Sequence, residues 1–270
     1  MKYESFKVDI QNHIAQVVIN RPDKVNSLHQ QAWVELKEIF ETLSFDKAVR
    51  VIVLSGEGKL FCAGIDVSML MDISSFASKG CEARKREHFI EGLKHLQDCV
   101  SSIEKCKKPV LAAIHSGCIG GGVDIATACD IRYCTEDAYF TVKEVDMGLV
   151  ADIGTMQRLP KIVPYGVAAE MAYTGRKVFG PEAKAINLVN NFYADKAAML
   201  EQVMQIATMI ASKSPVVVRG TKHILQHTRD HTVAEGLQYI QAWNAAMIYS
   251  DDLMECFQAF MQKRQAVFNE

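Results

Sequence analysis

Three adjacent glycines, Gly120, Gly121 and Gly122, are followed by an acid, Asp124, and then by Glu144, Asp146 and Asp152 among apolar neighbours. A glycine run lets a ligand touch bare backbone. A carboxylate in an apolar segment is costly to bury unless it is paired, protonated or used. Backbone donors beside several carboxylates suit a site that stabilises an oxyanion and moves protons. Two plainer readings stand beside this one. The glycines can be a tight packing turn, and Asp124 can cap the helix that follows it.

A second glycine-bearing turn, Ala63-Gly64-Ile65, lies in the segment SGEGKLFCAGID. Each turn comes after an apolar run that reads as a buried strand, Val49 to Leu54 and Val110 to His115. Two such turns can each aim one backbone N–H at a single oxygen, and losing one donor of this kind costs about 3 kcal/mol. That chemistry suits a thioester or ester carbonyl that becomes an enolate. Other glycine motifs do not fit. GCIGGGVD lacks the G-x-G-x-x-G spacing, no Gly-Lys-Ser/Thr follows it, and no G-x-S-x-G elbow is present. His115, at the end of a strand, reads as a hydrogen-bonded structural residue rather than part of a triad.

The elements that must position these groups follow from periodicity. Phe6 to Ile10 and His13 to Ile19 read as paired strands. A helix follows with Trp33, Leu36, Phe40 and Leu43 on one face and Asn26 or Ser27 as its N-cap. Met69 to Gly80 has weak periodicity and reads as a mobile segment. From Glu82 to Cys106, Phe89, Leu93, Leu96, Val100 and Ile103 mark the apolar stripe of a long helix. A short helix runs through Ile125 to Cys129, and Ile131 to Cys134 and Tyr139 to Val142 read as strands. Strands this apolar argue an α/β core covered on both sides. After Gly154 helical patterns take over: Thr155 to Leu159, Gly166 to Tyr173, Pro181 to Ile186, Asp195 to Ser212, Pro215 to His227, Thr232 to Tyr249 and Asp251 to Phe268. The division expected is a core of residues 1–194 with a helical assembly region of residues 195–270.

Composition narrows the function classes. The 270 residues carry 49% hydrophobic and 23% charged residues and a net charge of −2, so there is no global drive toward nucleic acid. None of the eight cysteines forms a CxxC pair, which leaves zinc and thioredoxin-like readings without support. No secretory signal, transmembrane run or peroxisomal C-terminal signal is read, and a cytoplasmic protein with reduced thiols is the expectation.

The segments NRPDKVNSL, FCAGIDVSML, KKPVLAAIHSGCIGGGVDIATACDIRYC and KEVDMGLVADIGTMQRLPK, in this order over nearly the whole chain, resemble the crotonase superfamily, the enoyl-CoA hydratase/isomerase family. The resemblance implies a spiral of ββα-like units with a C-terminal helical trimerisation region, hence a homo-oligomer, a trimer or a dimer of trimers. It implies an acyl-CoA thioester as substrate and no separate cofactor, the coenzyme A being part of that substrate. It implies the backbone N–H groups of Ile65 and Gly121 as the oxyanion hole. It also implies substrate contacts at Lys24, Ala63, Gly64, Ile65, Asp66, Val67, Gly121 and Gly122.

Within the family, the hydratases carry two glutamates, and a glycine where this chain has Asp152. Here the first glutamate is replaced by Asp124 and the second is Glu144. The trio Asp124, Glu144 and Asp152 resembles that of the Δ3,5-Δ2,4-dienoyl-CoA isomerases of fatty-acid β-oxidation. This implies that Asp152 removes an α-proton, Glu144 returns one at the far end of the diene, and Asp124 orients the diene or tunes its neighbours. Asp66, Asp130 and Asp146 read as structural, Asp66 fixing the oxyanion loop and Asp130 capping or pairing with Arg132. Three alternatives stay open. One is a hydratase that adds water to a 2-enoyl-CoA. Another is a thioester hydrolase. The third is a non-catalytic or RNA-binding relative that uses the basic cluster Arg84-Lys85-Arg86.

Overall fold

A computed structural model describes residues 3–69 and 81–270. The chain opens with an antiparallel hairpin, β1 (Phe6–Gln11) and β2 (Ile14–Ile19). Its two turn residues, Asn12 and His13, have φ of 51° and 65°, the sense that matches strand twist. Helix α1 (Gln30–Phe45) leads to β3 (Val51–Gly56), which lies parallel to β2. Helix α2 (Glu82–Lys105) leads to β4 (Val110–Ile114), parallel to β3. Beyond Met69, the segment read as mobile falls outside the described residues.

At Ser116, where φ is 51°, the chain leaves this sheet and enters a second one at β5 (Gly117–Ile119). Helix α3 (Gly121–Ala128) returns it to the first sheet at β6 (Ile131–Thr135), and β7 (Tyr139–Thr141) again joins the second. Short helices α4 (Thr155–Arg158), α5 (Tyr165–Thr174) and α6 (Gly180–Ala185) alternate with β8 (Val178–Phe179) and β9 (Asn191–Tyr193). The large sheet has the order β1-β2-β3-β4-β6-β9 and the small one β5-β7-β8. This alternation of strand and helix is the spiral α/β fold expected.

Side-chain alternation explains why β3 is apolar from Val51 to Leu54. Ile52 and Leu54 face a core built with Trp33, Leu36 and Phe40 of α1 and Val100 and Ile103 of α2. Val51 and Val53 face the other side, against Met199, Val203 and Ala207 of α7 (Lys196–Ala211). The sheet is therefore covered on both sides. The first helix of the segment assigned to assembly is thus part of the core. Asp195 caps α7 by accepting from Ala198 N at 2.9 Å.

Three more helices follow: α8 (Pro215–Thr228), α9 (Val233–Met247) and α10 (Asp251–Met261). Lys222 of α8 reaches back to Asp130 Oδ2 at 2.7 Å and the Lys108 carbonyl at 3.0 Å. Asp130 thus pairs with Lys222, not Arg132, whose guanidinium goes to the Leu188, Ala126 and Cys129 carbonyls. No helix among the described residues is long and apolar enough to cross a membrane.

Two further local expectations are corrected. Helix α1 begins after His29, and neither Asn26 nor Ser27 caps it. Asn26 is buried at φ 55°, where its amide donates to the Glu57 and Leu60 carbonyls and so pins the loop. Helix α10 stops at Met261: the chain turns at Lys263, where φ is 51°, and in the tail beyond it the Phe268 carbonyl accepts from Arg50 at 2.6 Å.

Candidate active site

The two glycine turns meet. Residues 61–62 pair with the chain entering β5: Phe61 N donates to His115 O at 2.9 Å and Cys62 N to Gly117 O at 3.1 Å. Ile119 N donates back to Cys62 O at 3.0 Å. On its other side the loop is tied to α1's approach, with Leu28 N to Gly64 O at 2.8 Å and Asp66 N to Leu28 O at 3.0 Å. At Gly64, where φ is +87°, a Cβ would lie 2.7 Å from the Ile119 carbonyl oxygen and 3.0 Å from Gly121 N. Only glycine allows that approach. Among the described residues, neither Ile65 N nor Gly121 N has a hydrogen-bond partner. Two backbone donors left over from this ladder are what an oxyanion hole requires.

Ile65 and Gly121 line a cavity of about 380 Å³ together with Glu144 and Asp152. Its apolar wall comes from Phe89, Leu93 and Leu96 of α2 and from Leu149, Val150 and Ile153. Leu93 and Leu96, read from the sequence only as the buried face of a helix, therefore also line the cavity. An apolar cleft with a few convergent polar groups is the usual form of a small-molecule site.

Glu144 sits on a single 3-10 turn, Lys143–Met147. Its Oε1 lies 3.2 Å from where a Gly120 side chain would begin, so it abuts the glycine turn itself. Its Oε2 is buried without a hydrogen-bond partner. Burial raises its pKa, and the Asp152 charge adds to the rise. Asp152 lies between that turn and α4. It is exposed by surface area, yet the packing around its carboxyl raises its pKa. It also borders a polar cavity of about 440 Å³ with Gln97, Ser101, Glu104 and Arg158.

Asp124 is wholly buried on α3 and does not line the apolar cavity. Its Oδ1 accepts from Thr155 N at 2.6 Å and Thr155 Oγ1 at 2.7 Å, while Oδ2 is unpartnered. It does not cap its own helix, whose N-cap is Gly120 without a side-chain bond. Burial pushes the Asp124 carboxyl up to about 7; the Glu144 charge adds to this, and Thr155 and Arg158 oppose it. Nothing in the sequence marked Thr155 as its anchor, because the two lie 31 residues apart.

The remaining residues divide between loop support and solvent. Asp66 accepts from Ser68 N at 3.1 Å, Ser27 Oγ at 2.9 Å and Arg21 Nη1 at 3.2 Å. These bonds, led by the Ser68 backbone and Ser27, hold its carboxyl well below the usual range. Asp66 therefore fixes the loop. Ala63 N is tied to Val25 O at 3.2 Å, one residue beyond the exposed Lys24. Val67 is exposed, and Gly122 packs against the Cys62 carbonyl. His115 is buried with Nε2 3.0 Å from the Gly58 carbonyl, and Asp146 pairs with Lys143 at 2.5 Å. Arg84 and Arg86 lie on an exposed face of α2.

Known proteins share this arrangement of the chain. A family model described as Enoyl-CoA hydratase/isomerase matches residues 9–270. The Delta(3,5)-Delta(2,4)-dienoyl-CoA isomerase, peroxisomal, of Arabidopsis thaliana is 44% identical over 99% of this chain and 99% of its own length. The mitochondrial protein of the same name from Homo sapiens is 44% identical over 97% of this chain and 81% of its own. Among solved structures, the enoyl-CoA hydratase of Bacillus anthracis superposes with a TM-score of 0.88 at 29% identity, covering 98% of this chain and 99% of that one. The chain belongs to the enoyl-CoA hydratase/isomerase family.

Proposed function

We propose that this protein is an isomerase of fatty-acid metabolism that moves two double bonds of a 3,5-dienoyl-CoA to give the 2,4-dienoyl-CoA. The observation that carries the reading is the placement of two carboxyl groups, Glu144 and Asp152, on one cavity with Ile65 and Gly121. Relatives of that name at 44% identity favour it over the hydratase alternative.

The thioester oxygen is held by the N–H groups of Ile65 and Gly121, which acidifies the α-carbon next to the carbonyl. A base for that carbon must lie against the oxyanion turn. Glu144 does so, which reverses the order of the two acids expected from the sequence. Glu144 takes a proton from C2, and the negative charge spreads over the oxygen, C2, C4 and C6. Asp152, protonated, gives its proton to C6, leaving double bonds at C2–C3 and C4–C5. No atom is gained or lost, and the chemistry calls for no cofactor beyond the coenzyme A of the substrate. Two coupled carboxyls hold one proton between them more readily than none, the state this reaction starts from. The proton gained by Glu144 then passes to Asp152 by exchange with solvent, which Asp152 meets at the polar cavity it borders, and this restores the starting state. Asp124, held by Thr155, lies behind the site, and the Glu144 charge adds to the burial that favours its neutral form.

Absorbance with a 3,5-dienoyl-CoA, run beside a 2-enoyl-CoA, tests the reading. Fast growth of a long-wavelength band with little loss of the 2-enoyl band is expected. An inert diene with rapid loss of the 2-enoyl band would make the protein a hydratase.

Assembly as a homotrimer or dimer of trimers is proposed with it. Tyr249, Phe260 and Met261 of the C-terminal helical region are 94%, 80% and 79% exposed, more apolar surface than a lone chain carries comfortably. Light scattering on the purified protein decides the number of copies. A cytoplasmic location is also proposed, against peroxisomal and mitochondrial relatives; cell fractionation decides it.

A further inference from the structure

Asp152 stands on chain with no regular structure. From Leu149 to Gly154 there is neither helix nor strand. Ala151 and Ile153 on either side are anchored in the core, but buried apolar neighbours do not fix the rotation of the peptide between them. A polar tether is needed. Among the described residues, one side chain hydrogen-bonds to the backbone of this segment: Gln97 Nε2 donates to the Asp152 carbonyl at 2.8 Å.

Gln97 belongs to a stripe on α2. Gln97, Ser101 and Glu104 are spaced by four and three residues and so share a face. Ser101 Oγ accepts from Arg158 Nη2 at 3.0 Å, and Glu104 accepts from Arg158 Nε at 3.2 Å and Nη2 at 3.0 Å. The Arg158 guanidinium in turn packs against Gly154, where φ is +141°. One helix face thus holds both ends of the Asp152–Arg158 segment. The same helix presents Leu93 and Leu96 to the apolar cavity.

We propose that Gln97 is a positioning residue for Asp152, setting the acid's distance from the cavity wall that holds the acyl chain. This rests on the role given to Asp152 above. The wall and the acid move as one body, so a chain packed against Leu93 and Leu96 meets the proton donor at a fixed carbon.

The test compares wild type with Gln97→Met, which keeps the length and removes the donor, alone and in an Asp152→Asn background. Gln97→Met is expected to lower kcat for the diene by about 10–100-fold, with KM nearly unchanged, since a misplacement near 1 Å costs about that much. In the Asp152→Asn background the same change should cost almost nothing. Amide hydrogen exchange of residues 149–154 should rise in Gln97→Met. An equal loss in both backgrounds, or unchanged exchange of those amides, would overturn the inference. A wild type inert toward the diene would sink the isomerase reading alone, because amide exchange still decides whether Gln97 holds Asp152.

Discussion

The two halves of the site are built in different ways. The oxyanion half is backbone. Its donors are fixed by a backbone ladder running from Leu28 through Gly64 and Cys62 to Ile119, with the Asp66 side chain bracing the loop beside it. The acid half is side chains: Asp124 on α3 anchored by Thr155, Glu144 on a single turn, and Asp152 on an irregular segment tethered by Gln97. A backbone device fails when volume is added, and it takes the fold with it. A side-chain device fails when charge or a tether is removed, and the fold survives.

The largest effect should come from adding volume to the first half. Gly64→Val places branched carbon against the Ile119 carbonyl and Gly121 N at a positive φ. Each oxyanion donor contributes about 10²–10³-fold, so displacing both should cost on the order of 10⁴-fold or more. A lower Tm should accompany it; near-normal turnover in this variant would break the comparison. Next comes Glu144→Gln, expected to lose about 10²–10⁴-fold in kcat with Tm held near wild type. A collapsed Tm there would mean that the acid half is structural too.

The buried acid sharpens the contrast through pH. Asp124 has a folded-state pKa of about 7 against 3.8 for the free group. Between those values the folded chain holds more protons than the unfolded one, so stability falls as pH rises through the window. Tm measured from pH 4 to pH 8 should carry this declining contribution, and Asp124→Asn should remove it from the slope. A slope identical in the two proteins would contradict the assignment. The smallest effect belongs to Gly92, inside α2 on the cavity wall, where a Cβ meets no described atom within 4 Å. Gly92→Ala should raise stability by about 0.5–1 kcal/mol in chemical denaturation. Destabilisation instead would mean that the wall there is already close-packed.

What the sequence made legible follows the same division. Gly64 and Gly120–Gly122 mark where backbone must come close, and glycine is visible as a letter. The alternation in β3 and the stripe on α2 are periodic, so the two-sided sheet and the long helix were readable too. Thr155 and Gln97 carry no local signal, because their partners lie 31 and 55 residues away. Strand β5 is three residues long and begins at a glycine, too short for a period to show. Asn26 looked like a helix cap because capping and loop-pinning use the same side chain. The order proposed for the two acids rests on which one touches the Gly120 turn, a fact of three dimensions.

In the proposed mechanism Glu144 works on the α-carbon and Asp152 on the far end of the diene. Incubating substrate in deuterated water with Glu144→Gln and Asp152→Asn separates the two steps. Asp152→Asn should still exchange the α-proton while the double bonds stay in place, and Glu144→Gln should do neither. Exchange that survives in Glu144→Gln and vanishes in Asp152→Asn would contradict it.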